Sequence, residues 1–182
     1  CIALLLFSFI MRPAQAQTPV LTAGDIMDTL HGYIKNDVFY KYALVLQIAT
    51  SGQSENILHE LEAKADNHQL RARFYAIKAA VLYYQDVKPK TNDNSLAEYR
   101  VSQIAQSKIQ SLYEKTMNEA YLSGDDRLVA QASLTCGQVY YSLQKLELAV
   151  TYTINGLELN EKLGIENSPL DYLVVGELFY KI

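Results

Sequence analysis

The sequence predicts an all-α fold, a stack of antiparallel helical hairpins. Three observations predict it. Apolar residues recur at helical spacing through most of the chain. No segment alternates apolar and polar residues over the length of a half-buried strand. A small-x-x-aromatic-Tyr pattern is written three times, as "AVLYY" at 80–84, "GQVYY" at 137–141 and "GELFY" at 176–180. Gly137 and Gly176 thus fall inside helices, where glycine costs about 1 kcal/mol relative to alanine. A helix keeps such a residue where another backbone must come close.

Composition supports a folded chain and narrows its partners. Of 182 residues, 49% are hydrophobic and 20% charged, a balance that can bury a core. The net charge is -4, with no run of Lys or Arg. Nucleic acid is therefore not an expected partner, because phosphate attraction needs a basic surface. There are 14 tyrosines and no tryptophan.

The elements follow in order. Residues 1–16 read as a truncated secretory signal peptide: the apolar run Ile2–Ile10 precedes "AQAQ", with cleavage after Ala16. The run is too short to span a bilayer. Because the chain opens on Cys1 and closes inside a helical pattern, it is expected to be a fragment. Cleavage leaves Cys136 alone, without an intramolecular disulfide and in a packing role. Residues 17–67 hold N-terminal helices: one starting near Asp25 and ending or bending around Gly32 and "KND", one over "VFYKYALVLQIAT", and one over "SENILHELEAKA" with Ser54 as N-cap. Residues 68–123 hold a helix with the first echo, a polar insertion at 86–95, and a long helix opened by a Ser95–Glu98 capping box. "SGDD" then caps a helical pair over 126–163. "GIENS" separates it from the helix of 168–182, where Ser168 can cap and Pro169 takes the first position.

The pair at 126–163 is the best formed. Tyr140 lies one turn beyond Gly137 on the same face. On the next helix Ala149, Tyr152, Thr153, Gly156, Leu157 and Asn160 share a stripe, whose small members admit the knobs of the first helix. One hairpin cannot bury both faces, so neighbours must stack.

Residues 130–162, "AQASLTCGQVYYSLQKLELAVTYTINGLELNEK", resemble a tetratricopeptide repeat. Gly137, Tyr140, Ala149 and Leu157 match the motif's small, aromatic, small and apolar positions. Ser133, Thr153, Gly156 and Glu161 depart from it. "PLDYLVVGELFY" resembles the first helix of a further repeat, with Tyr172, Gly176 and Phe179 at the motif positions. "RFYAIKAAVLYY" does so with Ala76, Ala80 and Tyr83. The resemblance implies a right-handed superhelical stack. It assigns packing between helices to Ala80, Tyr83, Gly137, Tyr140, Ala149, Gly156, Gly176 and Phe179.

The resemblance also implies a concave groove lined by the first helix of each repeat. Its positions here are Gln131, Leu134, Gln138, Tyr141 and Ser142; Leu170, Leu173, Glu177, Tyr180 and Lys181; and Phe74, Ile77, Val81, Tyr84 and Gln85. Tyr84, Tyr141 and Tyr180 share one motif position, a tyrosine ladder suited to binding because each ring offers apolar area and a hydroxyl. The other reading packs these rings between repeats.

The sequence carries no chemistry to make an enzyme. "HELEA" lacks the second histidine of a zinc-protease motif, since Ala63 stands there. His31, His59 and His68 read as surface residues. No nucleophile elbow or phosphate loop occurs, and no cofactor or metal is expected. Glu114, Glu119, Asp125 and Asp126 read as polar-face or turn residues. The groove lacks the basic set that grips a C-terminal carboxylate. The expected function is an exported scaffold, without catalytic activity, that binds a protein or peptide along its groove. The alternative, by similarity of domain organisation, is the extracytoplasmic sensory region of a bacterial histidine kinase or related regulator. Its membrane tether and output domains would lie beyond residue 182. Both place the chain outside the inner membrane, on its periplasmic side.

Overall fold

In the computed structural model of the chain, residues 21–86, 88–89, 99–100 and 102–181 are described. The predicted signal segment and the Ser95–Glu98 capping box lie outside the described residues. Eight helices are present among the described residues: α1 (Ala23–Lys35), α2 (Tyr42–Thr50), α3 (Ser54–Lys64), α4 (His68–Asp86), α5 (Gln103–Leu122), α6 (Asp126–Ser142), α7 (Leu146–Lys162) and α8 (Pro169–Lys181). The fold is all-α. Its other regular feature is a two-residue antiparallel pairing of Lys88–Pro89 (β1) with Tyr99–Arg100 (β2), inside the connection read from sequence as a polar insertion and a helix start.

Local chemistry sets the helix ends. Thr22 and Asp25 form a reciprocal capping box that opens α1, which runs through Gly32 without ending. α2 starts at Tyr42, not at Val38. Ser54 is the first residue of α3 and makes no cap bond; Gln53 precedes it. The Asn67 side chain accepts the Leu70 amide at the start of α4. α5 is opened by Ser102, which accepts the Ala105 amide, and not by Ser95. Asp125 accepts the Arg127 and Leu128 amides and opens α6. Pro169 begins α8.

The most extensive packing joins α4 to α5 and α6 to α7, two consecutive helical hairpins. α6 packs on both α5 and α4, and α8 packs on α7. The N-terminal helices differ. α1 packs on α3, and both also rest on α4, as does α2. They form a cluster over one face of α4.

α4 is therefore buried on two sides. Leu70, Phe74, Ile77 and Val81 enter a core with Ile26, Leu30, Ile48 and Leu61. Ala72, Ala76 and Ala79 enter a second core with Ile109, Tyr113, Leu128 and Cys136. The large residues fill the space against the short helices α1–α3. The alanines let the α5 backbone lie close along the helix.

Candidate interaction surface

The α6–α7 hairpin fixes the frame. A Cβ added to Gly137 would stand 2.1 Å from Thr153 Oγ1, 3.1 Å from the Thr153 amide nitrogen and 3.2 Å from the Ala149 carbonyl. One added to Gly156 would stand 2.7 Å from Leu134 Cγ and 3.0 Å from the Ala130 carbonyl. Both glycines are sites of close backbone approach. Tyr140 stacks on Tyr152 with centroids 5.4 Å apart, and Ala149 is buried beneath them. Asn155 donates to the buried Ser133 hydroxyl at 2.9 Å, so the departure from an aromatic residue at 133 is filled by a polar pair.

A row of tyrosines crosses the C-terminal halves of α4 and α6. Tyr42 of α2, 53% exposed, meets the edge of Tyr84 at 6.4 Å. Tyr83, beside Tyr84 on α4, lies near Ser142 on α6; burial raises its pKa and the Ser142 hydroxyl opposes the rise. Burial also raises the pKa of Tyr42, with Tyr84 and Tyr83 adding to it. Next to Ser142, the Tyr141 hydroxyl donates to Glu177 of α8 at 2.7 Å. Gln138 is exposed one turn before Ser142, whose hydroxyl donates to the Gln138 carbonyl at 3.0 Å. Gln85 donates to Ser54 at 2.9 Å at the other flank. Tyr180 projects from α8 at 92% exposure.

Four of the fifteen expected groove positions, Tyr84, Tyr141, Ser142 and Glu177, thus lie along one row, with Gln138 beside it. Tyr180 stands on α8 with no described neighbour bridging it to the row. Leu134 leans onto Gly156, inside the hairpin. Gln131 donates to the Asp37 carbonyl and is engaged by the α1–α2 connection. The side chains of Leu170, Leu173 and Lys181 lie outside the described residues. Phe74, Ile77 and Val81 are corrected outright: each is at most 1% exposed, because α1–α3 cover that face of α4. Among the packing residues, Ala80 is half-buried, Gly176 has open space around it and Phe179 is 64% exposed.

Sequence reasoning missed Tyr42, Asp37, Arg73 and Arg127. The signal for Tyr42 was the "YKY" spacing ahead of an apolar helix. The others are joined by contacts remote in sequence, such as Arg127 to Asp37 at 2.8 Å. His68 is likewise not a free surface residue: its ring meets Glu119 at 2.7 Å, joining the start of α4 to the end of α5. Gln69 donates to Asp125 at 3.1 Å beside it, so Glu119 and Asp125 hold helices together.

Among the described residues no cluster of three or more His, Cys, Asp or Glu is placed to hold a metal ion. A cleft of about 350 Å³ between α3, α4 and α5 has an apolar floor of Leu58, Val81, Leu82 and Leu112. Of its lysines, Lys78 is taken by Glu62 at 3.1 Å. Cys136 is buried, and burial pushes its thiol pKa up, away from the reactive thiolate. No described helix is long and apolar enough to cross a membrane. No protein-family model matches the chain, no curated protein does, and no solved structure does.

Proposed function

We propose that the protein is a peptide- or protein-binding scaffold of the tetratricopeptide type, without catalytic activity of its own. The observation that carries this reading is the row Tyr42–Tyr84–Tyr83–Ser142–Tyr141–Glu177. It runs across α2, α4, α6 and α8, joined by the Tyr42–Tyr84 ring contact and the Tyr141–Glu177 hydrogen bond and otherwise by residues adjacent in the chain, with partly exposed rings and hydroxyls along it. Tyrosines so placed bury area at low entropic cost and hydrogen-bond a passing backbone. Support for the superhelical stack comes from the order of contacts: two hairpins in series, with α6 packed on α4 and joined to α8 by the Tyr141–Glu177 hydrogen bond. The apolar run Ile2–Ile10 with "AQAQ" supports export.

The test is a display library of random peptides selected on the wild-type chain. Selected peptides should lose about tenfold or more in affinity on Tyr84→Ala/Tyr141→Ala, as expected when binding anchors are truncated, while the melting temperature moves little. A large fall in melting temperature with binding intact would make these rings packing residues and sink the reading.

A further inference from the structure

The connection between α1 and α2 is seated as a bound peptide would be. α1 ends through Asp37 in the left-handed region, φ 54. The Val38 amide closes that turn on the Tyr33 carbonyl at 2.8 Å. Asp37–Tyr40 then lies across the N-terminal halves of α4 and α6, and side chains of those helices take up its polar groups. Arg127 binds the Asp37 carboxylate at 2.8 Å, and Gln131 donates to the Asp37 carbonyl. Arg73 reaches the Val38 carbonyl at 3.4 Å. The two aromatic side chains turn inward. Phe39 is 7% exposed and joins the core that Ala72 and Ala76 floor. Tyr40 is half-buried beside Tyr113, whose hydroxyl is sealed without a partner of its own in hydrogen-bonding geometry, and near Cys136.

This segment shares its helix faces with the tyrosine row. Arg73, Ala80 and Tyr84 recur at helical spacing on one stripe of α4. Arg127, Gln131, Gln138 and Ser142 do the same on α6. The N-terminal ends of both stripes hold the segment; the C-terminal end on α4 carries the half-buried Tyr84, and that on α6 carries Ser142, next to Tyr141.

We propose that Asp37–Tyr40 is an intramolecular ligand of the groove, displaced by a partner peptide of like chemistry: an acidic residue followed closely by paired aromatic side chains. The proposal rests on the peptide-binding reading above. The donor groups of α4 and α6 argue for that class. Arg127 already holds a carboxylate, the partner its fork of donors suits. Arg73 is 3% exposed, makes no direct ion pair among the described residues, and donates to the Val38 and Gln69 carbonyls, with its guanidinium 5.9 Å from the Phe39 ring centre. The Asp125 and Asp37 carboxylates support its charge from a distance, so a peptide that displaces Asp37 does best by bringing a carboxylate in its place. The alanine floor admits flat rings.

Two measurements test it. The probe is a blocked, dye-labelled synthetic peptide with the sequence of residues 36–41, read by fluorescence anisotropy. Asp37→Ala/Phe39→Ala, which loosens the segment, should bind it about tenfold or more tighter than the wild type, by the fraction of binding-competent state gained. Adding Arg127→Ala should remove that gain. A folded double variant that does not bind the probe overturns the proposal. The second measurement needs no core substitution. In Cys1→Ser, modification of Cys136 by a thiol reagent should run about tenfold or more faster than global unfolding and be insensitive to low urea, the mark of local opening. Modification only at the global unfolding rate overturns the proposal even if the double variant fails to fold. If both measurements fail while library peptides still bind through Tyr84 and Tyr141, this inference falls alone. If those peptides are lost as well, the peptide-binding reading falls with it.

Discussion

The two ends of the molecule solve the same problem, burying helices, with opposite materials. The N-terminal cluster uses large aliphatic and aromatic side chains from α1, α2 and α3 against the Leu70, Phe74, Ile77 and Val81 face of α4. The α6–α7 hairpin uses almost none at its closest approach. Gly137 meets Thr153, Gly156 meets Leu134, and the polar pair Ser133–Asn155 sits between. Bulky packing lets short helices with irregular connections settle at varied angles. Backbone-close packing demands one register and two long helices side by side. The first arrangement resists truncation poorly, and the second resists enlargement poorly.

The widest break between the regions should come with alkali. Burial pushes Tyr40 up to about 12 and holds Tyr113, Tyr140 and the Cys136 thiol above their ordinary values. Groups whose folded pKa is raised add stability that is complete below the unfolded value and is lost as pH rises through the folded one. Arg73 works the other way. Burial lowers it to about 10, so it favours the folded state more as pH rises from there toward 12.5. One such group does not offset four. Tertiary structure should therefore be lost above pH 10 or so, beginning with the α4–α5–α6 core, as followed by near-ultraviolet circular dichroism. An alkaline transition that begins in the α1–α3 cluster would reverse the assignment.

Phe74→Ala should cost about 3–5 kcal/mol, the range for emptying a buried aromatic site, measured by urea unfolding. A cost below 1 kcal/mol or so would mean that the N-terminal cluster is loosely packed. Gly137→Ala should cost about 1–3 kcal/mol through overpacking, despite the better helix propensity of alanine. Thr153→Ala, which removes the oxygen 2.1 Å from the new methyl, should recover part of that loss. Additive costs in the double variant would sink the close-approach explanation. Gly176→Ala, where a Cβ meets nothing within 4 Å, should instead gain up to about 1 kcal/mol. The two glycines occupy the same place in the repeated pattern, so opposite signs would isolate the effect of the facing helix.

Much of the fold was legible in the sequence because its signals are local. Helical spacing, the Asp125 cap, Pro169 and the breaks at 51–53 and 123–125 are decided within a few residues. Gly137 and Gly156 were also legible, since a mid-helix glycine needs a reason. Of the candidate surface, Tyr84, Tyr141 and Glu177 could be read from the repeated pattern. Phe74, Ile77 and Val81 were misplaced because that pattern says which helix face is apolar but not which neighbour covers it. Val38–Tyr40 were read as helix because three apolar residues precede a good helical run. Their non-helical path follows Asp37, which is held by Arg127 and Gln131, about ninety positions downstream in the chain.

Periodicity, caps and small residues by themselves determined that this chain is helical, where most helices begin and end, and that α6 and α7 pair closely. These are properties of neighbours in the chain, worth about 1 kcal/mol each and consistent along its length. The tertiary structure alone decided which face of α4 each core takes, that Tyr42 meets Tyr84, and that Asp37 is held by Arg127 and Gln131 of α6. Those outcomes rest on burial and hydrogen bonds between residues far apart in sequence. Their loop-closure cost is repaid only once every partner is in place.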